Sequence, residues 1–435
     1  MKLTLLCILS LLTLLTCALP AVAADGVSQA TFLFLTLSPS AQVNARGFNL
    51  AAGSYEDPFG AVYNPGAIGF MAKQNRFSGG GSDMQWLPGF NLSGLHYRGF
   101  AANLRFASDT LPMFLGMRAP ITYGLGAHTV YLDLGKTQQT DEQGHSLGSF
   151  HSWETASAVT FGAMMEHRVR VGFGISGQWA YSNLSPSGAG AESGTNHASA
   201  VMLDAGLIVE APLLSLVAKP LADRVETWSR LRPELLAAYS YTQNNIGGKV
   251  SFNSNAPGDP LPRTAITSLG IGAELTYPLR EIGPWKIFSV SASTQASDVL
   301  VKRHPNGASE YKLNPLGDIG FVHDIVLGGA NGKIVRDYGY EIELLDLIYV
   351  RAGDHRDRLG NVFYHTSGFG FRLTGVFKAM TWGDPVFGSQ SGVAAVLRHL
   401  DIEFDTSSWD IKLTSPNYNN PVNHTHTDML TLRYK

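Results

Sequence analysis

Residues 169–181 read VRVGFGISGQWAY, and every odd position in this stretch except Gly177 is apolar. The even positions are small or polar. A strict period of two places one chemistry on each face of a β-strand. At about 3.3 Å per residue the stretch spans roughly 40 Å, enough to cross a bilayer at a tilt of about 45°. It predicts a strand with lipid on one face and an aqueous lumen on the other. One such strand would also fit a soluble sandwich, so the rest of the chain must decide.

The same alternation recurs along the chain. Thr267–Tyr277 and Ser367–Phe377 show it clearly. Weaker strand candidates are Phe90–Phe106, Ile121–Leu134, Trp153–Met165, Val201–Val209, Leu235–Tyr241, Ile287–Gln295, Ile319–Leu327, Tyr338–Leu345, Leu347–Gly353, Val393–Phe404 and Met429–Tyr434, with a short one near Met113. These segments predict an all-β fold: a transmembrane antiparallel β-barrel of about 14 strands.

Residues 1–23 are typical of a secretory signal peptide. Lys2 precedes an apolar run, Leu3–Leu15, and Ala21-Val22-Ala23 is a small-residue cleavage site, so we expect the mature chain to start at Ala24. A lipoprotein leader ending at Cys17 is the alternative, and Thr16 fits it poorly. Cys7 and Cys17 are the only cysteines, so we expect a mature chain with no disulfide and no thiol nucleophile.

Composition excludes several classes of protein. Outside the leader there is no stretch of about 18 apolar residues, so no transmembrane helix is expected. In a membrane, only a closed barrel would then satisfy the backbone. The net charge is −3 and only 15% of residues are charged, which leaves no electrostatic footprint for nucleic acid.

The segment before the first clear strand differs from the rest. Residues 24–88 do not alternate and are rich in Gly and Pro, which predicts an N-terminal hatch or plug, with the barrel over residues 89–435. One helix is expected, at Pro220–Leu231, because Pro220 suits a first helical position and the apolar residues that follow mark one face.

Three motifs suggest cofactor binding, metal binding or catalysis, but the strand pattern, a polar loop and the absence of a nucleophile motif argue against these roles. Residues 172–177 match G-x-G-x-x-G but lie inside an alternating strand. A dinucleotide-binding site instead needs this motif between a strand and a helix. His424 and His426 could hold a metal, although a polar loop explains them better. His323-Asp324 could belong to a barrel hydrolase, but no G-x-S-x-G occurs. We predict no catalytic residue, no metal and no cofactor.

Residues 38–70 carry a resemblance to a known family. The run holds Ala45-Arg46, Ala51-Ala52-Gly53, Asp57 and Tyr63-Asn64-Pro65-Gly66. It resembles the opening of the PorV/PorQ family of outer-membrane proteins, a branch of the FadL-type barrels. Gly66 departs from the commoner Ala of that family.

Four further matches follow in family order. They are VMLDAGLI at 201–208; NIGGKV at 245–250 with Leu261-Pro262; GYEIELLDLIYVRAG at 339–353 with Gly368–Phe371; and residues 420–433. Val422 replaces the family's Leu, and the chain ends in Tyr434-Lys435 rather than on an aromatic residue.

The resemblance implies a fourteen-stranded barrel with an N-terminal hatch in the outer membrane of a Gram-negative-type bacterium. The first implied function is handling of type IX secretion cargo through its C-terminal signal domains, with cargo proteins or other type IX components as partners. The alternative is a FadL-like channel that carries hydrophobic small molecules through a lateral opening. In either case Tyr63-Asn64-Pro65-Gly66 is expected to form a hatch turn, because Pro65 fixes φ and Gly66 permits a tight turn.

Overall fold

The computed structural model describes residues 30–50, 55–90, 94–112, 118–140, 143–184, 196–252, 258–279, 283–304, 308–329, 331–383, 399–411 and 421–435. The predicted leader and the strand expected near Met113 lie outside these residues.

The described chain forms one closed antiparallel barrel. Eighteen strands follow in chain order: β1 Phe77–Gln85, β2 His96–Pro112, β3 Arg118–Thr140, β4 Ser146–Glu166, β5 Arg170–Asn183, β6 His197–Pro212, β7 Arg232–Gly247, β8 Lys249–Val250, β9 Asp259–Pro260, β10 Thr264–Leu279, β11 Gly283–Val299, β12 Val301–Arg303, β13 Ser309–Tyr311, β14 Val335–Leu344, β15 Ile348–Asp357, β16 Val362–Arg372, β17 Leu400–Ile411 and β18 Thr425–Tyr434. Fourteen of them form the barrel wall, which closes where β1 pairs with β18. The other four form two small hairpins, β8–β9 and β12–β13. The predicted fold class is confirmed.

Strand β5 shows the predicted separation of faces. Ile175 and Trp179 are 62% and 44% exposed, whereas Ser176 and Ala180 are 1% and 0% exposed. Odd positions therefore point outward and even positions point into the lumen, as the period of two predicts.

Exposed apolar side chains continue around the wall. They include Phe100, Val159, Phe173, Val201, Leu203, Ile271, Ile342, Val350, Phe369, Phe404, Leu430 and Leu432. A closed barrel with an apolar outward band is the architecture of outer-membrane proteins, so the chain is an outer-membrane barrel. None of the helices found in the described ranges has the length and apolar character of a membrane span.

The two ends of the barrel differ. The longest connection, residues 300–334, lies at the end opposite Lys435, and we take that end as extracellular because bacterial barrels carry their long loops there. The periplasmic end carries three helices: Leu213–Val217, Lys219–Ser229 and Leu373–Gly383. The second confirms the helix predicted at Pro220–Leu231.

The lumen is filled by the residues that precede β1. We call this segment, residues 30–50 and 55–76, the hatch; it contains a 3-10 turn Leu33–Thr36 and three α-helices, Ala41–Ala45, Gly60–Tyr63 and Ala67–Gln74. It starts at the extracellular end, where Thr31 N donates to Pro260 O (3.0 Å). It ends at the periplasmic end, where Arg76 N donates to Tyr434 O (2.8 Å).

Three expectations about the positions of strands were wrong. β1, Phe77–Gln85, lies inside the range expected as hatch, because its three glycines hide the alternation. Leu373–Phe377 continues the strand pattern in sequence but begins a helix. Ile319–Leu327 is a loop with a single π-helical turn, Phe321–Val326, rather than a strand.

Candidate functional site

Apolar side chains line the extracellular half of the lumen. Within the described ranges one buried cluster there comprises Phe32, Phe34, Met84, Tyr97, Val130, Leu132, Ala156, Ala180, Ala198, Ala200, Met202, Val250, Leu261 and Trp409. Strands β4 and β5 and the upper part of β6 contribute mainly alanine, which leaves room in front of the wall. The interior of an ordinary diffusion pore is polar. We call this apolar space the chamber.

The start of the hatch occupies the chamber. Phe32 and Phe34 are 3% and 2% exposed, and the Phe32 ring meets Phe252 edge-on at 5.9 Å. Tyr97 donates its hydroxyl hydrogen bond to Leu37 O (3.2 Å). Phe32 has φ 56°, a left-handed conformation that costs a non-glycine residue about 1–2 kcal/mol. The chain therefore fills its own apolar space with a segment held in an unfavourable conformation.

The predicted hatch turn lies in the lumen, against the inner wall. Asn64 Nδ2 donates to the backbone oxygens of Leu207 (3.1 Å) and Tyr241 (3.2 Å). The Asn64 carboxamide oxygen accepts from Gly66 N (2.9 Å), which closes the turn around Pro65. The Tyr63 hydroxyl accepts from Ser40 N (3.2 Å) and also bonds Ser38. Side-chain bonds thus hold the turn to β6 and β7.

Inward-facing glycines of the wall make space for this turn. A Cβ added to Gly174 would lie 2.3 Å from Pro65 O, and one added to Gly206 would lie 2.1 Å from Asn64 Oδ1. Gly177 faces outward, and a Cβ there would meet nothing within 4 Å. Gly172 and Gly174 of the G-x-G-x-x-G match thus allow a close approach of hatch and wall, whereas Gly177 does not take part in it.

The hatch helix Ala67–Gln74 lies on the same side of the lumen. Six of its eight residues are buried. A Cβ on its Gly69 would lie 2.4 Å from the backbone of Ala163, and a Cβ on Gly124 would lie 2.7 Å from the Ile68 side chain. The helix therefore packs closely against β3 and β4.

The opposite wall, β14 to β18, carries a buried network of charges. Arg372 pairs with Glu403 (2.7 Å) and with Asp346 (2.8 Å). Arg351 bridges Glu341 (2.5 Å) and Asp405 (2.5 Å). The members with side chains at most 7% exposed are Arg46, Glu341, Glu343, Asp346, Arg351, Arg372, Lys378, Asp401, Glu403, Asp405 and Arg433. We call this set the ionic network.

The ionic network includes one hatch residue, Arg46, and holds further hatch residues. Arg46 Nη1 lies 3.1 Å from Glu341 Oε2, and Gln42 Nε2 donates to Asp405 (2.9 Å). Glu56 pairs with Arg372 at 2.8 Å. Burial opposes ionisation of Glu56, but the guanidinium groups of Arg372 and Arg433 outweigh it and lower the pKa of Glu56 to about 2. The hatch is therefore held by charge–charge contacts at neutral pH.

Asp346, in the turn between β14 and β15, anchors the network at the periplasmic end. Burial alone would raise its pKa, but Lys378 and Arg372 together bring the pKa well below its usual range. Lys378 reaches this carboxylate from the helix Leu373–Gly383. One periplasmic helix is thus tied to the same charges as the hatch.

The ionic network is not among the residues predicted from sequence, although the sequence carries a signal for it. In GYEIELLDLIYVRAG the acidic residues Glu341 and Glu343 alternate with apolar ones, and Arg351 follows on the next strand. Alternating charge on a strand with an apolar opposite face indicates a charged lumen wall.

An apolar groove marks the outer wall on the chamber side. It is an open groove of about 770 Å³ across β1 to β6. Small outward residues, among them Ala127, Ser157 and Gly177, lie between the larger Phe100 and Trp179. Met202 lines the groove as well as the chamber, so a single layer of wall separates the two spaces.

The histidines considered for chemistry lie apart. His323 Nδ1 bonds Asp324 (2.6 Å), whose other oxygen accepts from Gly320 N (2.7 Å), so this pair closes its own loop. His424 pairs with Asp410 (2.9 Å) and His426 with Asp428 (3.1 Å), both on the exposed outer face. No group of three or more metal-ligating side chains occurs in the described part of the chain.

Comparison with known proteins gives structural neighbours only. Neither a family model nor a curated sequence matches the chain. The chain is similar to the Ralstonia pickettii toluene transporter TbuX (14% identity, 92% of this chain and 98% of that one, TM-score 0.39). It is also similar to a Pseudomonas aeruginosa FadL homologue (12%, 94% and 99%, 0.33) and to the Pseudomonas putida toluene transporter TodX (12%, 96% and 99%, 0.36). All three TM-scores lie below 0.5.

Proposed function

We propose that this outer-membrane barrel is a channel for hydrophobic small molecules, the alternative function expected from the sequence. The observation that carries the proposal is the chamber, a large buried apolar cluster in the extracellular half of the lumen. An apolar pocket at the mouth of a barrel is the kind of site that binds apolar ligands. Handling of type IX cargo stays a prediction, since no contact of the described residues supports it.

The filling of the chamber suggests how a ligand would bind. Phe32 and Phe34 contribute the apolar groups that a ligand would otherwise supply, and the left-handed φ of Phe32 favours release of the segment. An apolar molecule would displace these rings and take over their contacts with the alanine-lined wall.

The contacts in the periplasmic half of the lumen favour a lateral exit of the ligand through the barrel wall. Below the chamber, the turn at Pro65 is pressed against Gly174 and the hatch is tied to the ionic network. The outer groove, in contrast, is apolar and separated from the chamber by the wall at Met202. A molecule that leaves through this wall would enter lipid without crossing buried charges.

Uptake of an apolar dye tests the proposal. We expect cells producing the Phe32→Ala/Phe34→Ala variant to take up N-phenyl-1-naphthylamine at least threefold faster than cells producing the wild type, because the chamber is vacated. Ala180→Trp should lower uptake to the level of cells without the protein, because indole fills the alanine-lined space.

Phe161→Ala is the matched control, since Phe161 is 39% exposed and belongs to the apolar outward band of the wall, which we call the belt. It should leave uptake unchanged. The proposal fails if Ala180→Trp inserts, migrates as a heat-modifiable barrel and still takes up the dye at the wild-type rate.

A further inference from the structure

Part of the connection between β11 and β14 folds back onto the outside of the barrel. The Phe321 ring meets the Tyr239 ring edge-on at 5.7 Å, and Pro315 O accepts the Tyr241 hydroxyl (2.7 Å). Both tyrosines lie on the outward face of β7, because even-numbered Asn244 points inward and donates to Val62 O of the hatch (3.1 Å). We call residues 312–327 the flap.

The flap covers outward positions that would otherwise face lipid. Ala265, Thr267 and Ala296 are all 0% exposed, whereas Ile271, further down the same face of β10, is 62% exposed. Leu316, Ile319 and Ile325 of the flap pack in one cluster with Ala265 and Ala296. An apolar contact of this extent holds the flap on the wall.

The flap and the residues that follow it also provide partners for two charged side chains of the outer wall, Asp298 and Arg336. Lys312 Nζ lies 2.9 Å from Asp298 of β11 and 2.8 Å from Asp318. Arg336 of β14 donates to Gly329 O (2.8 Å). Asp298 and Arg336 are 5% and 6% exposed although both side chains are on the outward face. Charged groups on a lipid-facing wall are destabilising, so the cover shields them from lipid.

The height of the flap follows from strand geometry. Tyr277 and Ala265 lie on the same outward face of β10, and at about 3.4 Å per residue and a tilt of about 40° they differ by roughly 30 Å in height. The apolar band of such barrels is about 25 Å tall. If Tyr277 marks its lower edge, the upper edge falls between Leu269 and Ala265, where the flap lies.

The outer side of the flap is mostly apolar, although the His323 side chain, which pairs with Asp324, is 62% exposed there. Val322, Val326 and Leu327 are 48%, 55% and 73% exposed and lie on or beside the π-helical turn. The flap packs on β10 as far as Leu269, and the next outward residue of that strand, Ile271, begins the exposed apolar belt.

We propose that the flap is a membrane-embedded segment whose Val322–Leu327 face contacts the acyl chains of the outer leaflet. In this part of the wall, loop side chains replace strand side chains as the surface that lipid meets. The partner is hydrocarbon because the apolar face adjoins the belt and sits at the upper edge of the band. This inference does not depend on what the channel carries.

Spin labelling measures the surroundings of the flap directly. With Cys7 and Cys17 replaced by alanine, Val326→Cys, Ile271→Cys and Glu310→Cys each carry one nitroxide in the full chain, reconstituted in phosphatidylcholine vesicles. Ile271 reports the belt, and Glu310, with a side chain 60% exposed, reports an extracellular hairpin.

We expect the label at position 326 to match the one at 271. Its collision rate with oxygen should be high, and its collision rate with a water-soluble nickel chelate should be at least fivefold lower than at position 310. A nickel collision rate equal to that at 310 would place the face in water and overturn the proposal. Low collision rates with both reagents would show a protein contact and would also overturn it.

Discussion

Gly174→Val is expected to detach the hatch turn and open the lumen to ions. The added Cβ would lie 2.3 Å from Pro65 O and 2.5 Å from Pro65 C, and backbone atoms cannot rotate away as a side chain can. Overpacking alone costs about 1–3 kcal/mol, and here it is relieved most easily by moving the turn inward. We expect single-channel conductance in planar bilayers to rise from a closed baseline to persistent open steps.

Gly177→Val is the matched control on the same strand. Its Cβ meets nothing within 4 Å and points into lipid, so conductance should stay at the wild-type baseline. Heat-modifiable migration shows that each variant has folded. A folded Gly174→Val barrel with wild-type conductance would mean that the turn does not close the lumen.

Arg372→Met is expected to cause the largest loss of stability. Arg372 lies within 3.4 Å of Glu56, Asp346, Asp401 and Glu403, and its side chain is 7% exposed. Removing it leaves buried carboxylates without their cation, which costs about 3–5 kcal/mol. Urea unfolding of the purified barrel, followed by tryptophan fluorescence, measures the loss.

Arg232→Met provides the comparison for this substitution. Arg232 also pairs with a glutamate, Glu226 at 2.7 Å, but its side chain is 57% exposed. Solvent screens such a pair, and we expect a loss of less than about 1 kcal/mol. Equal losses in the two variants would show that the ionic network contributes no more than a surface ion pair.

The barrel could be predicted from sequence because alternation is a local signal. In β5 the outward side chains are exposed on the barrel wall and the inward ones are buried in the lumen, so the alternation in VRVGFGISGQWAY reflects both environments directly. Strand β1 was not predicted because Gly79, Gly80 and Gly81 carry no side chain and so show no alternation. Pro58 packs against Gly80, and the Phe100 ring lies over Gly81, so neighbours on both faces replace the missing side chains.

Ile319–Leu327 of the flap was wrongly predicted as a strand for a related reason. Ile319 and Ile325 are apolar because they pack on the outer wall, and Val322 and Val326 because they are exposed beside the belt. Two apolar surfaces on one loop imitate a strand in sequence. The hatch turn at Tyr63-Asn64-Pro65-Gly66 could be anticipated as a turn, but its partners, Gly174 and Gly206, lie more than a hundred residues away and only the fold brings them close.

The most direct test of the central claim is to locate a bound apolar molecule. We would label the purified protein in vesicles with an apolar diazirine probe, with and without excess unlabelled competitor, and identify the labelled peptides by mass spectrometry. The account predicts competitor-sensitive labelling at chamber residues such as Met202 and Trp409, stronger in Phe32→Ala/Phe34→Ala, and competitor-insensitive labelling along the outward belt. Labelling confined to the belt, in wild type and variant alike, would contradict it.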